Sequence, residues 1–149
     1  MQQPKVSVLI ACYNAERWLD ETLASVLAQT WPHLEVIVVN DGSRDGSRQR
    51  LAAYEARGVR VIEQDNAGQG AALNRALAEA SGDYIQFLDA DDLLAPDKIA
   101  RQLERLRTAP GAVAIAAWAR FTNDPAEARF QPAATWRDLA PADWLVAGG

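Results

Sequence analysis

The run Glu35-Val-Ile-Val-Val-Asn40 constrains this chain most: four consecutive β-branched residues with no polar break. A strand with one wet face alternates apolar and polar residues. An unbroken run belongs to a strand covered on both faces, which is the habit of parallel sheets. Shorter runs of the same kind occupy residues 6–11, 59–63 and 84–88. Between them lie segments with helical spacing. Leu19, Leu23 and Leu27 fall at i, i+4 and i+8 beside Trp18, Thr22 and Val26. Leu73, Ala76, Leu77 and Ala80 make a second stripe, and Ile99, Leu103 and Leu106 a third. The order is β-α-β-α-β-α-β-α, with a fifth strand expected at 113–121. It predicts an α/β fold: a doubly wound, mostly parallel sheet with helices on both faces and right-handed crossovers.

The punctuation agrees. Asn14 reads as an N-cap, with Glu16 in the first turn of the helix that follows. Gly58 and Gly82 stand where helices must stop before strands, and Pro96 suits the first turn of the helix after Leu94. From Thr122 the pattern decays into a turn signal, Asn123-Asp124-Pro125, then Pro132, Pro141 and Gly148-Gly149. A short helix is expected at 142–146. The organisation expected is thus an α/β domain over 1–121 and a C-terminal extension over 122–149.

Composition narrows the function. A chain of 149 residues has room for one domain. Alanine supplies 29 of the residues counted as hydrophobic, so the core must come from the short Val/Ile/Leu runs. Fifteen Lys+Arg against twenty Asp+Glu leave a net charge of −5. That balance lacks the overall basic field that holds nucleic acid. One Cys excludes an internal disulfide, and one His makes a His/Cys zinc cage implausible. A soluble protein of a reducing compartment, the cytoplasm, is expected. The longest charge-free stretch, residues 22–34, is too short and polar for a membrane span. Lys5 and the apolar run 6–11 imitate a small signal peptide. They lack a small-residue cleavage pattern and lead straight into a polar motif, so they read as a strand.

Ligands of open α/β sheets bind outside the carboxyl ends of the strands, and each of the first four strands ends in a polar cluster. These are Cys12-Tyr13-Asn14, Asn40-Asp41-Gly42-Ser43-Arg44-Asp45-Gly46, Gln64-Asp65-Asn66-Ala67-Gly68 and Asp89-Ala90-Asp91-Asp92. Any one of them reads as ordinary turn chemistry; four on one edge point to a site. No G-x-G-x-x-G follows the first strand and no G-K-[ST] occurs, so neither the dinucleotide fingerprint nor the P-loop is present. An edge of carboxylates holds phosphate only through a bridging divalent cation, Mg2+ or Mn2+. Two carboxylates ~5 Å apart at an effective dielectric of ~20 repel by roughly 3 kcal/mol. Asp89, Asp91 and Asp92 therefore need a cation or a shifted pKa if they converge, and nothing if they splay into solvent. Asp41 can accept from a base N–H or a ribose hydroxyl, or can simply shape the turn. Tyr13 either stacks on a base or is a half-buried aromatic. Asn66 and Gly68 suit a loop that approaches a ligand closely. Lys98, Arg101, Arg105 and Arg107 read as a solvated helix face, and Cys12 and His33 as structural.

Taken together and in order, these residues resemble glycosyltransferase family 2, inverting enzymes of the GT-A fold. The likeness runs from about Lys5 to Leu94: Val6-Ser-Val-Leu-Ile, Tyr13-Asn14, Glu16, Leu19, Ser25, Gln29-Thr30, Glu35-Val-Ile-Val-Val-Asn-Asp41-Gly-Ser, Asp45, Asn66, Gly68, Asn74, Ala80, Gly82-Asp-Tyr-Ile and Phe87-Leu-Asp89-Ala-Asp91-Asp92. The resemblance implies a GT-A-type, Rossmann-like sheet, a nucleotide-diphosphate sugar as donor, and Mg2+ or Mn2+. It implies that Asp41 holds the base, that Tyr13 lines its pocket, and that Asp89 and Asp91 serve ribose and metal. Ala11, Asn14, Asn66, Gly68 and Ala90 complete the expected donor site. Two residues depart from the family: Ala11 stands where Pro is common, and Leu73 where many members carry an Arg that approaches the diphosphate. In the family the acceptor-binding half and the general base follow the D-x-D region by many tens of residues. Only 122–149 remain here, with Asp138 and Asp143 as the carboxylates after Glu127.

The sequence therefore points to the donor-binding part of an inverting transferase, truncated and weakly active or inactive alone, its acceptor unknown. One alternative is a non-catalytic nucleotide-sugar-binding or assembly module whose chain end packs on another domain or on a second copy, as a homodimer; Trp118, Trp136 and Trp144 then either serve that interface or fill the core. A phosphohydrolase using Asp89 as nucleophile fits less well, because such enzymes usually place that motif after the first strand.

Overall fold

The computed structural model describes residues 3–109 and 111–130. Strands β1 (Val6–Cys12), β2 (Leu34–Asp41), β3 (Val59–Gln64) and β4 (Tyr84–Asp89) alternate with helices α1 (Leu19–Leu27), α2 (Ser47–Glu55), α3 (Gln69–Ala78) and α4 (Lys98–Arg107). A 3-10 turn follows at Pro125–Glu127. The strands form one parallel sheet in the order β3-β2-β1-β4. The chain steps outward from β1 to β3 and then returns to lay β4 on the far edge of β1. α1 packs beside α2, and α3 lies against β1 and β2 on the face that carries Leu9, Ile37 and Val39, the arrangement expected of right-handed crossovers. The strand order reverses between β1 and β4, and there the connections diverge and leave room for a ligand.

Burial follows from this order. β1 and β2, in the middle, are buried along almost their whole length, whereas the edge strands β3 and β4 are covered only in part. Leu9, Ile37 and Val39 form a core with Ala72 and Ala76 of α3. Val8, Ile10, Val36 and Val38, one residue out of phase, are buried on the other face. Alanine at 72 and 76 lets α3 lie close to the sheet. The helical stripe is therefore shifted from the one expected: Ala72 makes the contact, and Leu77 is 45% exposed.

The opposite end of the sheet is latched by one carboxylate. Glu35 accepts from the Ser7 hydroxyl at 2.6 Å, the Ser81 N–H at 2.9 Å and Lys5 Nζ at 3.2 Å. The Gly82 N–H donates to Ser7 Oγ at 2.9 Å. These bonds set where the chain enters β4, and so where Asp89 emerges at its other end.

Three expectations change. Asn14 is not the N-cap of α1, which begins at Leu19 behind Trp18; its side chain is taken by a neighbouring loop instead. Pro96 lies two residues ahead of α4, and its carbonyl accepts from the Thr30 N–H at 2.9 Å. Residues 113–121 form no strand. They have the composition for one but no ladder partner in the sheet of four, and Val113 and Trp118 are exposed. The helix expected at 142–146, and Asp138, Asp143, Trp136 and Trp144, lie outside the described residues. The sheet with α1 to α3 belongs to a compact unit ending at Asp97, and α4 opens a second at Lys98. Among the described residues, no helix is long and apolar enough to cross a membrane.

Candidate functional site

A cleft of about 550 Å³ opens at the carboxyl ends of β1, β2 and β4. Ala11, Tyr13, Asn14, Asp41, Asn66, Gly68, Asp89, Ala90 and Asp91 all line it, so the fold gathers every site residue expected from the sequence. Cys12, Ala15, Trp18 and Gln69 line it as well.

One wall is made by two loops that hold each other. The N–H groups of Asn14, Ala15 and Glu16 donate to Ser43 Oγ, Ser47 Oγ and Asp45 Oδ2 at 3.0, 2.9 and 3.1 Å. In return the Arg44 N–H donates to Asn14 Oδ1 at 2.8 Å and the Gly46 N–H to Glu16 Oε2 at 2.9 Å. Asn14 has φ 51°, a left-handed conformation that Asn tolerates. The polar cluster after β2 thus divides its labour. Ser43, Asp45 and Gly46 brace the β1–α1 loop, and Asp41 serves the cleft.

Asp41 is 2% exposed. Its Oδ1 accepts from the Ala67 N–H at 2.8 Å and from Gln64 Nε2 at 2.6 Å, and its Oδ2 from the Gly68 N–H at 2.9 Å. Its carbonyl accepts from Asn66 Nδ2 at 2.9 Å. Burial raises the Asp41 pKa, but the donors from Ala67, Gln64 and Gly68 outweigh it and hold the carboxyl below its ordinary value. A carboxylate offers about four lone-pair sites. Three internal donors leave one, on Oδ2, for a ligand. Two glycines permit this closeness. At Gly42 (φ 71°) a Cβ would lie 2.8 Å from the Asn66 backbone nitrogen. At Gly68 (φ 88°) the chain turns its N–H to Asp41 while opening α3.

The other side is acidic. Asp89 ends β4, and its Oδ1 accepts from Gln69 Nε2 at 2.8 Å. Ala90 is fixed by the buried Thr22 hydroxyl, which donates to its carbonyl at 3.0 Å. The Asp92 N–H closes the turn onto the Asp89 carbonyl at 3.1 Å. Burial, and then the charges of Asp89 and Asp91, push the Asp92 carboxyl up. Like charges therefore crowd at this turn. Tyr13 lines the cleft and is 48% exposed. Burial pushes the Cys12 thiol up against hydrogen bonds to Ser47 and Ser43, which keeps it a neutral part of the floor.

Asp89 and Asp91 offer hard oxygen donors. Among the described residues, no three His, Cys, Asp or Glu side chains converge as a cage. Two carboxylates that leave the remaining positions to phosphate oxygens and water are how Mg2+ and Mn2+ are held beside phosphates. Among the described residues that line it, none is Lys or Arg, and these give a diphosphate no counter-charge. The donor set fits a divalent cation that arrives with a phosphate ligand. Of the residues the sequence did not single out, Trp18 was masked by its helical spacing. Gln69 carried one signal: it directly follows Gly68 at a helix start on the same edge.

The profile of the family described as "Glycosyl transferase family 2" matches residues 7–142. A putative teichuronic acid biosynthesis glycosyltransferase, TuaG of Bacillus subtilis, is 44% identical over 105 residues, which are 68% of this chain and 42% of that protein. Glycosyltransferase GlyA of Streptococcus pneumoniae is 39% identical over 97 residues, 64% of this chain and 14% of that one. The chain thus spans less than half the length of these relatives. Among solved structures, the mannosyltransferase PcManGT of Pyrobaculum calidifontis, in complex with GDP-Man and Mn2+, superposes with a TM-score of 0.72 at 29% identity. The match covers 80% of this chain and 36% of that one. Residues 1–349 of TarS from S. aureus, in complex with UDP-GlcNAc, give 0.66 at 26% identity, over 76% of this chain and 37% of that one.

Proposed function

The chain belongs to glycosyltransferase family 2, and from that premise we propose that its cleft binds the nucleotide-diphosphate sugar donor of an inverting transfer, together with Mg2+ or Mn2+. The observation that carries the reading is the convergence of four strand-end clusters on one cleft with a buried acceptor, Asp41, at one side and Asp89 and Asp91 at the other. TarS in complex with UDP-GlcNAc and PcManGT with GDP-Man and Mn2+ support it.

In this reading Asp41 presents its remaining acceptor site to a base N–H, and Tyr13 covers the base. Asp89 and Asp91 hold the cation, which when bound offsets the negative charge that builds on the departing diphosphate. Ala90, fixed by Thr22, keeps the two carboxylates at the cleft's edge. In the transfer itself an acceptor hydroxyl attacks the anomeric carbon from the face opposite the nucleotide. The bond to the diphosphate breaks, and the hydroxyl proton passes to a carboxylate base. No described residue is assigned that base, and the function proposed here is donor binding.

Calorimetry with UDP and GDP, with and without Mn2+, tests it. Binding of one of them that needs Mn2+ and is lost in Asp91→Ala supports the reading. Binding indifferent to Mn2+ and to Asp91→Ala overturns the cation bridge, and no binding of either nucleotide overturns the donor site.

A further inference from the structure

Resting on the donor-site reading above, we propose that Gln69 is a positioning residue: its side-chain amide aligns the Asp89 carboxylate for the divalent cation. Asp89 lies on an exposed strand end, next to a turn that carries two more carboxylates. Left to itself, such a side chain rotates away from its like-charged neighbours. Gln69 Nε2 donates to Asp89 Oδ1 at 2.8 Å, which pins one oxygen and leaves the other for a ligand.

The chemistry of the donor matters. A Lys or Arg here would also orient Asp89, but its positive charge would cancel the attraction for a cation. A neutral amide orients without cancelling. Among the described residues the lining has no Lys or Arg, so a cation held by Asp89 is the counter-charge this wall can offer a diphosphate.

Gln69 is itself held. It is the first residue of α3, and the preceding Gly68 N–H is bonded to Asp41 Oδ2 at 2.9 Å. The short β3–α3 loop therefore reaches from Asp41 on β2 to Asp89 on β4, passing over the end of β1. The backbone that carries this amide is therefore fixed beside Asp89. Groups that orient metal-binding residues from the second layer typically account for 10- to 100-fold in metal affinity.

The test uses Gln69→Met, which keeps the side chain's length and removes the donor. Mn2+ affinity is read from the free-ion paramagnetic resonance signal in the presence of UDP or GDP. The thermal unfolding midpoint and the hydrogen exchange of the α3 amides are measured in parallel. The expected result is a loss of about tenfold or more in Mn2+ affinity, with the other two readouts unchanged. Mn2+ affinity within twofold of wild type overturns the inference. So does a loss of Mn2+ affinity that comes with a lower midpoint and faster α3 exchange, which would make Gln69 a residue that merely starts α3. If the wild-type chain binds neither Mn2+ nor either nucleotide, the donor-site reading falls and this inference with it. If wild type binds both and Gln69→Met matches it, this inference alone falls.

Discussion

Asp41 and Gly68 are joined across the sheet edge: the Gly68 N–H donates at 2.9 Å to Asp41 Oδ2. With the Ala67 N–H and the Gln64 amide, this makes the carboxylate the anchor of the loop that opens α3. A residue suited to reading a ligand thus also builds the wall beside it.

Asp41→Asn tests that double role. The amide keeps one acceptor oxygen and turns an NH2 toward backbone N–H groups that need acceptors. Leaving a buried donor unsatisfied costs about 1–3 kcal/mol. Urea unfolding is expected to show a loss of that size, and the Ala67 and Gly68 amides should exchange with solvent faster than those of β1. An unchanged midpoint with normal exchange would mean the three donors have other partners.

Glu35 makes stability depend on pH in a defined window. Burial works against its charge, but the Ser7 hydroxyl, the Ser81 N–H and Lys5 overcome it and hold its pKa at about 2, below the ordinary 4.5 of a glutamate. The native state therefore binds the proton less readily than the unfolded chain. The contribution is fully present above about pH 4.5 and is lost as pH falls toward 2. Glu35→Gln should flatten the fall of unfolding free energy across that window and lower stability at neutral pH. Urea titrations at stepped pH check both.

Much of the fold was legible because β1 and β2 are buried on both faces, and such strands are near-continuously apolar along their middles. The runs at 6–11 and 35–40 therefore located them to within a residue or two. The strand-end clusters were legible for a related reason: in a parallel sheet all carboxyl ends share one edge. What the sequence hid depends on partners far along the chain. Asn14 has the chemistry of a helix cap, and only the nearness of the β2–α2 loop gives its oxygen to Arg44. Gln69 is an ordinary helix-start residue until β4 brings Asp89 to 2.8 Å. The segment 113–121 has strand composition, but a strand exists only where another lies beside it.

Ser47 braces the cleft from beneath. Its buried hydroxyl accepts from the Ala15 N–H at 2.9 Å, and a hydrogen bond from Ser47 also lowers the Cys12 pKa. Ser47→Ala leaves the Ala15 N–H without that acceptor, at a cost of about 1–3 kcal/mol, and Cys12 loses its strongest opposing influence. The thiol pKa should rise further. Slower alkylation of Cys12 at a fixed alkaline pH, in native conditions, is the expected sign. Faster alkylation would show instead that the two loops have parted and exposed the thiol.

Tyr13 separates binding from folding. It is 48% exposed and lines the cleft, so its ring contributes little to the core. Stacking of a base on an aromatic side chain is worth about 1–3 kcal/mol. Tyr13→Ala is expected to weaken UDP or GDP binding by roughly 5- to 160-fold, the equivalent of that range, while the thermal midpoint stays where it was. Tyr13→Phe, which keeps the ring and removes the hydroxyl, should bind close to wild type. Calorimetry on the three proteins distinguishes the outcomes. If Tyr13→Phe is as weak as Tyr13→Ala, the hydroxyl rather than the ring meets the ligand, and the stacking role assigned to Tyr13 is wrong.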